Sequence, residues 1–402
     1  MLSVEDARAR IVSAFEPLAA EDVALELALH RVLAADIAAR RTQPPAPVSA
    51  MDGYAVKAAD VAQIPAKLRI VGEAPAGGAY GATLKAGEAV RILTGGPVPE
   101  GADTVVIQED TERDGSKLIV KDATKAGANV RAKGLDFNEG DVLLKKGKRL
   151  TARDIGLAAA MNRPWLPVAR KPRVAILATG DEIVRPGDPV GPNQIVSSNA
   201  PALKALVEAL GGEAIDLGIA RDNEDSIAAL ARGAKGADLL LTTGGVSVGD
   251  RDLVAKVLGN QGLEVDFWKI AMKPGKPLMF GRLNGAPMLG LPGNPVSALV
   301  CAVLFVRPAL QRMLGLTEND RAESRALLAS DLGPNNFRED YIRARLARTG
   351  DGDLTATPFG VQDSSMMTTF ASADCLIKRP PDAPAAKAGD WVPVVDLRAL
   401  GV

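Results

Sequence analysis

From residue 174 to residue 314 the chain repeats one pattern: a short, mostly apolar run, a glycine-bearing polar loop, and a helical stretch. The runs are VAILATG (174–180), EAIDLGIA (213–220), ADLLLTTGG (237–245) and PMLGLPGNP (287–295). Helices are predicted over Ala200–Leu210, ended by Gly211 and Gly212, and over Val296–Leu314. A strand with no polar face belongs inside a sheet covered on both sides, and strands alternating with helices imply a parallel sheet. Ligands of such a sheet bind beyond the carboxyl ends of its strands. The chemistry is therefore expected in four loops: Thr179–Glu182, Arg221–Asn223, Thr243–Asp252 and Pro292–Ala298.

Each loop offers a different group. Gly244 and Gly245 let backbone amides approach an anion closely, and the helix that follows favours negative charge at its start. Pro292, Asn294, Pro295 and Ser297 open another helix, with Ser297 adding a hydroxyl; simple capping explains such a loop equally well when it stands alone. Lys273-Pro274-Gly275-Lys276-Pro277 holds two lysines on a rigid turn and reads as a paired cationic clamp. Glu182, Asp222, Asp250 and Asp252 put several carboxylates around one crevice, where they would repel one another and an anionic substrate. A hard cation resolves that conflict, and Mg²⁺ suits few carboxylates combined with substrate phosphates. For any one of these acids, Asp222 above all, helix N-capping is the plainer alternative.

The rest of the chain flanks this unit. With 402 residues it exceeds what a single core supports, so two to four domains are expected. Residues 1 to about 40 show helical periodicity with His30 inside it, and the prolines of QPPAP (43–47) stop any helix. Short Val/Ile runs divided by glycine then predict β structure. A helix returns at Thr151–Met161 with Thr151 as N-cap, so the β segment reads as an insertion. Three further runs, YIRARL, DCLIKRP and WVPVVDL, predict a small terminal barrel or sandwich. The boundaries drawn are 1–42 with 147–168 as an elongated helical linking domain, 43–146 as the inserted β domain, 169–317 as the α/β domain, and 318–402 as a C-terminal β barrel.

Composition excludes whole classes. Lys plus Arg number 48 against 49 Asp plus Glu, so no basic excess draws the chain to nucleic acid or to an anionic membrane. Val296–Val306, the longest apolar run, falls short of the roughly 20 residues a bilayer requires, and no signal-peptide core opens the chain. Cys301 and Cys375 read as reduced thiols of a cytoplasmic protein. His30 is the single histidine, which removes histidine-based zinc sites, Ser-His-Asp triads and Cys-His dyads.

Taken in order, SAMDGYA (49–55), RILTGGPVPEGADTVV (91–106), NVR (129–131) with Gly134-Leu135-Asp136, TGDE (179–182), NQIVSSN (193–199), TTGGVSVGDRD (242–252), KPGKP (273–277) and LPGNPVSA (291–298) resemble the molybdopterin molybdotransferase family, MoeA proteins and the C-terminal part of gephyrin included. The resemblance covers nearly the whole chain. It implies a multidomain α/β protein: a central parallel-sheet domain of molybdopterin-binding type flanked by the inserted β domain, a helical N-terminal segment and a C-terminal β barrel. It implies a transferase that takes adenylylated molybdopterin and molybdate to molybdenum cofactor and AMP, with Mg²⁺. By motif, Asp52, Thr94, Asp136, Glu182, Asp222 and Asp252 match functional positions, with Glu182, Asp222 and Asp252 as metal ligands. Gly244, Gly245, Ser247, Asp250, Lys273, Lys276, Pro292, Asn294, Pro295 and Ser297 match substrate positions, joined by Arg338 and Ser365. A homodimer is also implied, with Asp52 and Thr94 acting across the subunit interface, and the adenylyltransferase that makes the substrate as a possible partner. Two departures stand out: Leu135 occupies a position that is often acidic, and Phe337–Tyr341 matches loosely. The rivals are an adenylyltransferase or nucleotide pyrophosphatase on the same α/β module, and a non-catalytic pterin carrier or scaffold.

Overall fold

The apolar runs do build a sheet. The computed structural model describes residues 1–75, 77–245, 253–317 and 323–398. Its central sheet contains β1 (Arg173–Thr179), β2 (Glu213–Ala220), β3 (Leu239–Thr243), β4 (Leu263–Trp268), β5 (Met279–Leu283) and β6 (Ala286–Leu291) in the order β2-β1-β3-β6-β5-β4. The four expected strands are parallel neighbours. β5 and β4 extend the sheet in antiparallel register, so the parallel expectation is corrected to a mixed sheet. The signal for the extra pair was Asn284-Gly285, whose φ angles of 50° and 84° are the two left-handed positions of a tight hairpin turn.

Alternate residues divide the sheet between two cores. Val174, Ile176, Leu239, Leu241, Leu289 and Leu291 pack with the Asn199–Ala209 helix and the long helix Pro295–Leu314. Ala175, Leu177, Leu240 and Met288 pack with Ile227, Ala231, Val254 and Val257 on the opposite face. Pro295–Leu314 corrects the earlier count of apolar residues. By length and composition its 20 residues could cross a bilayer, yet 83% of its apolar window is buried, as a core helix requires.

The N-terminal segment is α-helical only over Val4–Ser13, with one 3-10 turn at Leu25–Leu27. Its cap is Ser3, which accepts the Asp6 N–H at 3.0 Å, and its Val4, Ala7 and Ile11 join the α/β core. Farther on, the expected helix gives way to strands. Ala20–Ala24 pairs with Trp165–Ala169, and Ile37–Ala38 pairs with Val142–Leu144. His30 stands in a turn with φ 64°, not in a helix. Leu33, Ile37, Phe137, Leu144, Leu150, Met161 and Leu166 form the small core of this linking region. The helix Ala152–Ala160 begins where expected, with the Asp154 carboxylate accepting from the Thr151 N–H at 2.9 Å and its hydroxyl at 2.7 Å.

Between these pieces lies a six-stranded sheet from Gly53 to Val120, with Gly53–Val56 and Glu88–Ile92 near its centre. The C-terminal strands close a barrel, because Glu339–Arg348 pairs with Leu354–Pro358 on one side and Cys375–Arg379 on the other. Met272–Lys273 adds to the start of Glu339–Arg348 and ties the barrel to the α/β domain. Both cysteines are free and buried, and burial pushes the Cys375 thiol up to about 12.

Candidate functional site

The carboxyl ends of β1, β3 and β6 open into one cavity of about 600 Å³. Of the residues singled out from sequence, Glu182, Gly244, Gly245, Pro292, Asn294, Pro295, Ser297 and Ser365 line it. Its other walls include Ile183, Ile195 and Val196, of which Ile195 is 61% exposed, so the cavity has an apolar lip above a polar floor. Such a lip suits a ring system whose charged end sits deeper.

Close backbone approach shapes the floor. Gly244 has φ 89°, and a Cβ there would stand 2.4 Å from the Thr179 carbonyl oxygen. Gly245 has φ 66°, with the buried Thr179 hydroxyl 2.8 Å from where its Cβ would be. That hydroxyl has no partner among the described residues. The Glu182 carboxylate folds back over Gly180, within 2.6 Å of the position a Cβ would take. These glycines are needed because three strand ends converge with no room for side chains.

The helix entrance at Pro295 offers fewer donors than its sequence suggested. Pro295 has no N–H, the Val296 N–H is donated to the Ser364 carbonyl at 3.1 Å, and that of Ala298 to Asn294 at 2.9 Å. Among the described residues this leaves the Ser297 amide, beside the buried Ser297 hydroxyl, as the uncommitted donor of the turn. The C-terminal barrel makes this contact. Asn294 Nδ2 also donates to Ser364 Oγ at 2.8 Å, and Asp363 accepts from the Ser365 N–H at 2.8 Å and hydroxyl at 2.6 Å. Those bonds, the hydroxyl first, hold the Asp363 carboxyl below its ordinary value.

Arg343 is a residue the sequence did not single out. Only 1% exposed, it donates through Nε to Gln362 at 2.9 Å and through Nη1 to the Asp363 carbonyl at 2.8 Å. It therefore fixes the loop that carries Ser364 and Ser365 to the cavity. Arg338 does not line the cavity; its guanidinium stacks 5.8 Å from the Phe337 ring. The signal that favoured Arg343 was its place inside the apolar YIRARL run, where a charge needs a structural reason.

Other expected groups stand apart. Lys273 and Lys276 are outside the cavity lining, which takes only Pro277 from their turn, and Lys273 pairs with Asp340 at 3.3 Å. The turn itself packs on the core helix, with a Cβ at Gly275 reaching within 2.6 Å of Cys301 Sγ. Asp222 lies at the exposed end of β2, its N–H donating to Asp181 at 3.1 Å, while Asn223 caps the helix that follows. Ser247, Asp250 and Asp252 lie outside the described residues. No group of three potential metal ligands occurs among the described residues.

Asp52 and Thr94 flank strands of the Gly53–Val120 sheet, Asp136 precedes Phe137 of the linking core, and none of the three lines the α/β cavity. Thr94 donates its N–H at 2.7 Å and its hydroxyl at 2.8 Å to Asp52 Oδ1, which holds that carboxyl below the usual range. Asp136 lines a second cavity of about 670 Å³ with Gln43, Gly95 and Arg131.

Comparisons with known proteins bear on the whole chain. Residues 2–162 match the model of the MoeA N-terminal region (domain I and II), 175–312 a probable molybdopterin binding domain, and 325–397 the MoeA C-terminal region (domain IV). The chain is 35% identical to a molybdopterin molybdenumtransferase of Haemophilus influenzae over all of both chains. It is 37% identical to one of Bacillus subtilis, covering 94% of this chain and 90% of that one. A solved molybdopterin biosynthesis moeA protein from Pyrococcus horikoshii superposes with a TM-score of 0.83 at 29% identity, covering 98% of this chain and 99% of its own.

Proposed function

The chain belongs to the MoeA family of molybdopterin molybdenumtransferases, and we propose that it places molybdenum from molybdate on adenylylated molybdopterin, releasing AMP. It is a transferase of molybdenum cofactor biosynthesis. The observation that carries the fuller reaction is the single cavity that gathers Glu182, Gly244, Gly245, Asn294, Ser297 and Ser365 at the strand ends.

Each group has a task that its chemistry permits. The Ser297 amide and hydroxyl are donors for an oxyanion at the helix entrance. Glycine at 244 and 245 lets phosphate or molybdate oxygens approach the main chain, while Ile183, Ile195 and Val196 exclude water from one side of the ring. Lys273 can add a positive charge by exchanging Asp340 for the anion. The reaction thus relies on positioning and charge neutralisation, with no histidine base.

Glu182 and Asp222, exposed carboxylates at the ends of neighbouring strands, fit Mg²⁺ held jointly with substrate phosphates, and Asp252 would complete the set. Mg²⁺ bound there would neutralise phosphate charge. A homodimer is inferred because Asp52, Thr94 and Asp136 contribute nothing to the cavity of their own subunit. A second copy would bring them to it. We assign the protein to the cytoplasm, a compartment in keeping with its two free thiols, and the adenylyltransferase that supplies the substrate as a transient partner.

The test is AMP release from adenylylated molybdopterin and Mg²⁺, with and without molybdate. Molybdate-dependent release, reduced on the order of 10²-fold in Glu182→Ala, is expected. Tight pterin binding without release would indicate a carrier, and ATP-dependent adenylylation of free molybdopterin would indicate an adenylyltransferase.

A further inference from the structure

The SSN segment ends in a buried amide, Asn199, for which the reaction outlined above has no use. It is 8% exposed and lines the cavity where the Asn199–Ala209 helix begins. Its Nδ2 lies 2.8 Å from Thr243 Oγ1 and 2.8 Å from the Gly293 carbonyl oxygen. A carbonyl can only accept, so the group facing Gly293 must be the NH₂, which settles the orientation of the side chain. Both amide hydrogens are thereby committed, one to the end of β3 and one to the loop after β6. Thr243 is itself 2% exposed and lies 3.4 Å from the Pro292 carbonyl. One side chain thus joins a helix start, the end of β3 and the loop after β6.

We propose that Asn199 is a positioning residue that sets the Gly293–Ser297 anion loop against the end of β3. The proposal rests on the cavity being the transferase site. Gly293 has no side chain to wedge it in place, and a Cβ there would meet only the Gly244 α-carbon at 3.6 Å. The amide therefore supplies the registration that packing does not. Without it the Ser297 donors drift relative to the Gly244 floor, and a misplacement near 1 Å costs roughly 10²-fold in rate.

The experiment measures AMP release as a function of molybdate concentration for wild type, Asn199→Ala, Thr243→Val and the double variant. Asn199→Ala is expected to raise the molybdate concentration for half-maximal rate at least about tenfold, with kcat/KM falling on the order of 10²-fold. Thr243→Val keeps its shape and the Gly293 bond, so it is expected to shift half-saturation less. The double variant should fall short of the sum of the two single effects, since both remove the Asn199–Thr243 bond. A lower maximal rate at unchanged half-saturation would mean only fewer folded molecules and would overturn the proposal. So would full additivity of the two changes. If wild type itself releases no AMP, the transferase assignment fails instead; an active wild type with an unaltered Asn199→Ala rejects the positioning role alone.

Discussion

Alanine at Gly244 and at Gly293 should have opposite consequences, although both glycines line the same cavity in neighbouring loops. At Gly244 the φ of 89° is a left-handed position, which costs an L-residue about 1–2 kcal/mol. The added Cβ would also stand 2.4 Å from the Thr179 carbonyl oxygen and 3.2 Å from its hydroxyl. Those are atoms of a central strand that cannot move aside, and overpacking of this kind adds about 1–3 kcal/mol. Gly244→Ala is therefore expected to destabilise by about 2–5 kcal/mol, lowering the melting temperature by roughly 4–20 °C for a domain of this size. At Gly293 the nearest atom to a Cβ is 3.6 Å away, so Gly293→Ala should stay within about 1 kcal/mol of wild type. Differential scanning fluorimetry on both variants, with AMP release alongside, measures the contrast. Equal melting temperatures for the two would refute the view that strand-end crowding is what demands glycine at 244.

Other consequences follow from the same geometry. Thr94→Val removes one of the two donors on Asp52, so the Asp52 carboxyl should titrate closer to the ordinary value in a ¹³C NMR titration. A depressed folded-state value stabilises above the unfolded pKa, and that stability is lost as pH falls through the folded one; in the variant the loss should be smaller and complete at a higher pH. An unshifted titration would remove the Thr94 hydroxyl as a cause and leave the Thr94 main-chain N–H. Arg343→Met leaves the Asp363 carbonyl without its donor and Gln362 with only the Arg343 main-chain N–H, and is expected to cost about 2–4 kcal/mol while weakening molybdate-dependent turnover. Arg338→Met should leave turnover close to wild type, and a larger loss at 338 than at 343 would reverse the assignment.

The sequence disclosed what is periodic or local. Three apolar runs showed the central strands because burial on both faces leaves no polar position, whereas the edge strand β2 keeps an exposed Asp216; the loops after them showed the cavity because ligands gather at strand ends. Thr151 marked a helix start, as a hydroxyl N-cap ahead of the returning helical period. Residues 14–40 misled because their alanines favour a helix, while their structure depends on partners more than 100 residues away, Val142–Leu144 and Trp165–Ala169. Arg338 was named by the resemblance alone, and Arg343 passed unremarked because Gln362 and the Asp363 carbonyl, which satisfy its buried guanidinium, lie 19 and 20 positions away. The Asn294–Ser364 contact was hidden for the same reason, 70 positions separating its two halves.

The most direct test of the shared site is subunit mixing. Asp52→Ala and Glu182→Ala, each expected to be inactive alone, are unfolded together, refolded and assayed for molybdate-dependent AMP release. If one site combines the Glu182 cavity of one subunit with Asp52 of another, half of the dimers are mixed and each holds one intact site of two, restoring about a quarter of wild-type activity. No recovery above the separate variants, with mixed dimers shown to form, would contradict a site built between two copies.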